Sequence, residues 1–345
     1  MFKNQITKVI FVVPHITLGD NVILYALTER LMERYPDLQF TFFINYKFMS
    51  LYRKSSSIEK RKIKRTFLNP WKFNRNSKFG ELWRKIILGG ILIQVVLETF
   101  PRFTKTLVLG PDWMTSPYDG LDLFDSPYTR LISNRYVPSL QIRKSLRLSR
   151  IQLNMDHRQN ILNQLQAIGF QASESNNPLF SFKTPSPSAT SFLKESRTAP
   201  SEFILCFLGA GDLSRDWTTV NEDFLRKLAS DNFCEIVFVN DAVKTRIGPL
   251  VNLFEMISLA RLVISNDTGW AHCAIEMKKP LICISAIGDE KSDSYIRTSH
   301  NVDAIRPEKL LGNCSKKCTE NYYHCVSTIS TKKLVGVFQA ALKRK

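Results

Sequence analysis

Cysteines are few in this chain, and most are scattered within apolar runs. The seven cysteines among 345 residues are an odd number. Cys206, Cys273 and Cys283 each sit inside an apolar run. That pattern argues against a disulfide framework and fits a reducing compartment. No N-terminal secretory signal is visible: Met1 to Lys8 is polar, and the apolar run after it is only Val9 to Val13. The apolar run Ile86 to Leu97 is too short to span a bilayer, which needs about 20 residues. Acidic residues are few. Against 48 Lys and Arg stand 31 Asp and Glu, a formal net charge of +17. Such an excess implies an anionic partner: nucleic acid, phospholipid or phosphorylated glycan. No nucleic-acid-binding motif accompanies the basic residues, so nucleic acid is set aside.

The length of 345 residues suggests two domains, each large enough for its own core. The hydrophobic fraction of 44% is that of a globular protein. Val9 to Val13 reads as a buried strand and Pro14 to Gly19 as a loop. Val22, Ile23, Ala26, Leu27, Leu31 and Tyr35 then recur at helical spacing until Pro36. Gln39 to Ile44 and Thr106 to Gly110 read as strands, and Met155 to Gly169 as a helix stopped by its glycine. Residues Gln171 to Pro200, rich in Ser, Pro, Thr and Asn, read as a linker. The predicted division is therefore 1–170, a linker 171–200, and 201–345. In the second part, strands are predicted at Phe203 to Leu208, Glu235 to Val239, the run ending at Ile264, and Leu281 to Ile284. Helices are predicted around Phe224, Leu225 and Leu228, at Leu253 to Ala260 with Glu255 solvated, and at Ala271 to Met277.

The stretch Ile264-Ser265-Asn266-Asp267-Thr268-Gly269-Trp270-Ala271-His272 reads as strand, tight turn and helix, with another buried strand after Pro280. That is a βαβ arrangement of a parallel sheet, in which ligands bind beyond the carboxyl ends of the strands. Thr268 and Gly269 can present a hydroxyl and backbone N–H groups there, which suits a phosphate. The same residues could equally be a capped helix with no ligand. Asp20, at the turn between the first strand and helix, could likewise be a cap. Arg215 could pair with Asp212 or Asp216 in its loop, or make a bidentate phosphate contact.

Several of these stretches, in order, resemble glycosyltransferase family 9, the heptosyltransferases of lipopolysaccharide core assembly and their relatives. The Asn-Asp-Thr-Gly-x-x-His-x-Ala run at 266–274 is similar to the family's donor-site signature. Gly209-Ala210 with Arg215 two before Trp217 resembles its Gly-Ala block. The strand, Gly19-Asp20 and amphipathic helix ending in Arg34-x-Pro36 resemble its N-terminal block. Asp156-His157 and the following helix, and the Cys-bearing loop 314–325 with the last helix, are weaker matches. The resemblance implies a GT-B fold: two Rossmann-like domains facing across a cleft, acceptor on the first and nucleotide-sugar on the second. It implies Asp20 as general base, and Gly209, Arg215, Asp267, Thr268, Gly269 and His272 at the donor. Asp241, where the family has a glycine turn with a Glu, is a candidate for a ribose hydroxyl. The implied reaction is inverting and metal-independent, with no cofactor, from a nucleotide-sugar such as ADP-heptose to an anionic glycolipid acceptor. The implied location is cytoplasmic.

Two further features bear on partners and metal. From Arg53 to Lys85, twelve Lys and Arg face only Glu59 and Glu81, about +10 of the total charge. Aromatic residues are interleaved, and the apolar run 86–97 follows. Residues 53–97 read either as internal packing or as a segment lying on the inner-membrane surface. Cys314, Cys318, His324 and Cys325 could be read as a zinc site, but the spacing from Cys318 to Cys325 matches no structural zinc pattern well and no fourth Cys or second His follows, so no metal is predicted. The competing class is a non-catalytic relative that binds membrane or glycan through its basic surface.

Overall fold

The computed structural model describes residues 7–13, 18–45, 48–49, 51, 61–66, 90, 93–94, 97, 106–109, 170–171, 187–195, 203–209, 222–284, 301–306 and 329–344. The chain divides into two compact units, Met1–Glu174 and Ser175–Lys345. The predicted helix at Met155 to Gly169, all but Gly209 of the loop carrying Arg215, the turn after Ile284 and the loop 314–325 lie outside the described residues.

The first unit is built on a parallel sheet. Its strands are β1 (Lys8–Val13), β2 (Gln39–Asn45), β3 (Arg61–Thr66) and β4 (Thr106–Leu109), in the order β3-β2-β1-β4. Helix α1 (Leu18–Arg34) joins β1 to β2. Its Val22, Ile23, Ala26, Leu27 and Leu31 are buried, as are Val9, Ile10, Phe40, Phe42 and Ile44 of the strands. Tyr35 N–H donates to Leu31 O at 2.8 Å, and Pro36, which has no N–H to give, ends the run. The Tyr35 ring meets Phe170 edge-on at 5.3 Å, and the Tyr35 hydroxyl accepts from Gln171 N–H at 3.0 Å. The basic β3 was not expected as a strand. It pairs with β2 from Phe40↔Arg61 to Asn45↔Thr66 and forms the edge of the sheet. Basic residues suit an edge, where they discourage further strand pairing. Gly90, Ile93, Gln94 and Leu97 are helical and exposed, so Ile93 and Leu97 do not pack internally.

The second unit has a five-stranded parallel sheet ordered β6-β5-β7-β8-β9. The strands are β5 (Phe203–Phe207), β6 (Glu235–Phe238), β7 (Leu262–Asn266), β8 (Leu281–Ile284) and β9 (Val302–Ile305). The helices are α2 (Pro187–Glu195), α3 (Glu222–Ser230), α4 (Asp241–Ile247), α5 (Leu250–Leu259), α6 (Gly269–Glu276) and α7 (Thr331–Leu342). Strands β5, β7 and β8 are buried throughout, as expected of a parallel sheet covered on both faces. On one face Ile204, Cys206, Ile264 and Ile282 pack with Leu225 of α3 and Phe338 of α7. Helix α6 packs against β7 and β8.

Two expectations fail here. The stretch read as linker contains α2, whose Ala189, Phe192 and Leu193 are buried at helical spacing. It packs against α4 and α5, and Arg246 lies over the Phe192 ring at 5.6 Å. Glu255, expected to be solvated, is 1% exposed. Helix α5 touches α2, α4 and α6, and five successive residues, Leu253 to Ile257, are buried. Neighbours on several sides take this helix out of water, whatever its pattern of polar residues.

Candidate functional site

The sheet order of the second unit fixes where a crevice must open. Strand β5 has β6 on one side and β7 on the other. The chain therefore leaves the carboxyl ends of β5 and β7 in diverging directions, the topological switch point of an open α/β sheet. Gly209 follows β5, and Asp267-Thr268-Gly269 follows β7.

The two turns are joined to each other. The backbone ladder between β5 and β7 ends at Phe207↔Ser265. One residue further, Asn266 Nδ2 donates to Leu208 O. A carbonyl needs a donor, which fixes the orientation of this amide. Asn266 Oδ1 is then buried with no hydrogen-bond partner among the described residues. Above this link the Phe207 and Trp270 rings stack at 4.7 Å with an interplanar angle of 11°. On the other side, Asp267 N–H donates to Ile284 O at 3.0 Å and pins the turn to β8.

Thr268 is the N-cap of α6, with φ −138° and ψ 176°. Its Oγ1 accepts from Trp270 N–H at 3.4 Å and lies 3.3 Å from Ser265 Oγ. Ser265 donates its hydroxyl hydrogen to Asn266 O at 2.8 Å, so Thr268 is the donor in the hydroxyl pair. Both Thr268 contacts are long and yield readily to a better partner. Ala271 N–H is taken by Thr268 O at 3.0 Å. Among the described residues, the Thr268 and Gly269 N–H groups have no acceptor. Two open donors at a positive helix end form an anion-binding arrangement.

Gly209 is exposed, and a Cβ built on it meets nothing within 4 Å. The fold itself does not require glycine there. His272 lies one turn into α6 and is partly buried. Asp241 is the first residue of α4, just beyond β6, the strand beside β5. Its side chain is 97% exposed and sits 3.0 Å from Lys244 Nζ, while Asn240 caps the helix by accepting from Val243 N–H at 2.9 Å. Asp20 is the third residue of α1, in the first turn rather than at the cap; its side chain, like all of Arg215, lies outside the described residues. The structure thus brings together Gly209, Asp267, Thr268 and Gly269, with His272 behind them and Asp241 at the neighbouring strand end. Three residues enter that reasoning about single positions did not select: Ser265, Asn266 and Trp270. The signal for the first two was their polarity at the end of a strand that is otherwise apolar. Among the described residues no cluster of three metal-ligating side chains occurs.

This architecture is the GT-B fold of glycosyltransferases. Over 99% of its length and 99% of the other chain, it is similar to the glycosyl transferase family 9 structure from Veillonella parvula DSM 2008, with TM-score 0.65 and 13% identity. It is similar to the E. coli ADP-heptose lps heptosyltransferase II over 96% of this chain and 98% of that one, with TM-score 0.59 and 15% identity. The E. coli heptosyltransferase WaaC with ADP aligns over 96% and 99%, with TM-score 0.57 and 14% identity. At these identities the likeness defines the fold alone. No family model matches the sequence, and no curated protein sequence matches it.

Proposed function

We propose that the chain is an inverting, metal-independent glycosyltransferase. It moves a heptose or related sugar from a nucleotide-sugar, ADP-heptose foremost, to a lipopolysaccharide-core or related glycan acceptor. The observation that carries this reading is the pair of N–H groups at Thr268 and Gly269 with no acceptor among the described residues, beside exposed Gly209 at the switch point of the second sheet. The whole-chain likeness to a heptosyltransferase structure with ADP supports it. In this reading the second unit, from about residue 201, holds the donor and the first, to about residue 170, holds the acceptor.

The donor diphosphate lies on the turn Asp267-Thr268-Gly269, with Arg215 as a second positive contact. One Arg–phosphate pair at about 4 Å gains on the order of 4 kcal/mol at an effective dielectric near 20, before desolvation. His272 supports the turn or reaches a phosphate, and Asp241 takes a ribose hydroxyl. The acceptor oxygen attacks the anomeric carbon in line. The bond from that carbon to the diphosphate oxygen breaks, and its electron pair leaves on the diphosphate. The proton of the acceptor hydroxyl passes to Asp20. A carboxylate is a weak base, so transfer occurs as the hydroxyl acidifies on bonding to carbon. The excess charge on the leaving group is met by the helix end and Arg215, so no step runs through a metal. The basic segment 53–97 suits an anionic glycolipid acceptor at the inner-membrane surface, and the exposed Ile93 and Leu97 support contact with lipid.

A donor screen read by mass spectrometry tests the reading. One nucleotide-sugar should yield nucleoside diphosphate and transfer its sugar. Asp20→Asn should bind ADP normally and turn over about 10²–10⁴-fold more slowly. Full turnover by that variant would remove Asp20 as the base, and inertness toward every donor would end the enzymatic reading.

A further inference from the structure

The opposite end of the second sheet, where the strands begin, carries an unexplained feature. Helix α3 ends in a complete Schellman motif: Cys234 N–H donates to Ala229 O at 2.9 Å, and Phe233 N–H to Ser230 O at 3.0 Å. The residue between must be left-handed, and glycine usually fills that place. Here it is Phe233, at φ 56° and 95% exposed. A bulky residue in that conformation costs stability, and its ring buries nothing in return. Helix α6 ends in the same motif, with Lys278 at φ 57° in the glycine position.

The same end of the sheet is rimmed with positive charge. Lys227 stands in the last turn of α3. Arg261 immediately precedes β7, and its Nη2 donates to Leu342 O at 3.2 Å, which brings Lys343 and Arg344 alongside. Arg344 also pairs with Asp303 at 2.6 Å. Among the described residues, Asp231 and Glu235 are the exposed acidic residues on this rim. The cations belong to connections spread across five strands about 4.8 Å apart, so the rim is about 20 Å wide. One phosphate could not engage them together, whereas a flat anionic surface could.

We infer that this end of the second unit docks on an anionic lipid surface. Phe233 inserts among the headgroups, and Lys227, Arg261, Lys278 and Lys343 lie against them. Aromatic insertion combined with dispersed basic residues is the pattern of reversible interfacial binding. The inference is independent of the sugar-transfer reading, because donor binding occurs at the other end of the strands.

The test is co-sedimentation of the full chain with vesicles of phosphatidylcholine alone or with a third phosphatidylglycerol. Wild-type chain should bind only the anionic vesicles. Lys227→Gln/Lys343→Gln should weaken binding about 30-fold, about fivefold for each cation. Phe233→Gly should weaken it about tenfold while raising the thermal midpoint, so lost binding is separated from lost folding. Lys332→Gln/Lys333→Gln removes the same charge at the other end of α7 and should bind within twofold of wild type. Absence of wild-type binding would overturn the inference. So would equal weakening by the control pair, or unchanged binding in both test variants. Concentration-dependent self-association abolished by Phe233→Gly would assign the surface to a second copy of the chain instead.

Discussion

Thr268→Asp separates a helix cap from a phosphate site, because the two roles respond to it with opposite sign. Aspartate caps helices at least as well as threonine. Its carboxylate can accept from Trp270 N–H, the group now 3.4 Å from Thr268 Oγ1, and the Ser265 hydroxyl, 3.3 Å away, can turn its hydrogen from Asn266 O to the carboxylate. A negative charge at the first turn of α6 adds about 0.3–1 kcal/mol through the helix dipole. Stability should therefore hold or rise, moving the thermal midpoint by up to about 3 °C upward. A diphosphate at the Thr268 and Gly269 N–H groups would meet that carboxylate at about 4–5 Å. Repulsion there is about 3–4 kcal/mol at an effective dielectric near 20, a loss of 10²–10³-fold in affinity. Calorimetric titration with ADP, beside thermal unfolding of the same sample, reads both quantities. Part of the loss should return in 0.5 M salt, which screens the repulsion. A variant that unfolds like wild type and binds ADP equally well would refute the phosphate site and leave Thr268 a cap.

Gly209→Ala should leave stability unchanged or raise it by about 0.4–1 kcal/mol through the unfolded chain, since its Cβ enters open space. Its ADP affinity should fall at least tenfold if the diphosphate approaches that backbone; calorimetry decides. Trp270→Ala removes the stack on Phe207 and should cost about 2–3 kcal/mol in urea unfolding. Burial pushes the Cys206 and Cys273 thiols well above the usual cysteine range. Little thiolate then exists at pH 8, so mass spectrometry should find both unmodified by iodoacetamide until urea unfolds the chain. Ile93→Ser/Leu97→Ser should weaken binding to anionic vesicles without altering ADP affinity if segment 53–97 rests on lipid; equal vesicle binding would remove that contact.

Much of the architecture was legible because parallel strands buried on both faces read as short apolar runs. β1, β2, β5, β7 and β8 were visible on that signal alone, as was the turn at 267–269 between a run and a helix. β3 was not, because four of its six residues are basic and only its position at the sheet edge accounts for them. β9, Val-Asp-Ala-Ile, is too short and too mixed to stand out. Helix α2 was hidden by Ser and Pro before its apolar Phe192-Leu193. Glu255 was misjudged because burial of α5 comes from packing against α2, α4 and α6 together, which the polar pattern of the helix itself does not encode. At the site, Asn266 stood in the 266–274 run, but its bond to Leu208, like the Trp270 stack on Phe207, joins residues about 60 apart, which no local pattern encodes.

The Asn266 amide has a mechanical consequence. One rung past Phe207, the backbones of β5 and β7 no longer hydrogen-bond to each other, and a side chain spans the fork instead. Leu208 O stays satisfied although the strands part, so the sheet unzips locally without exposing a dangling carbonyl. The prongs stand a side chain's length apart and stay tethered, so a pull on either one is felt by the other.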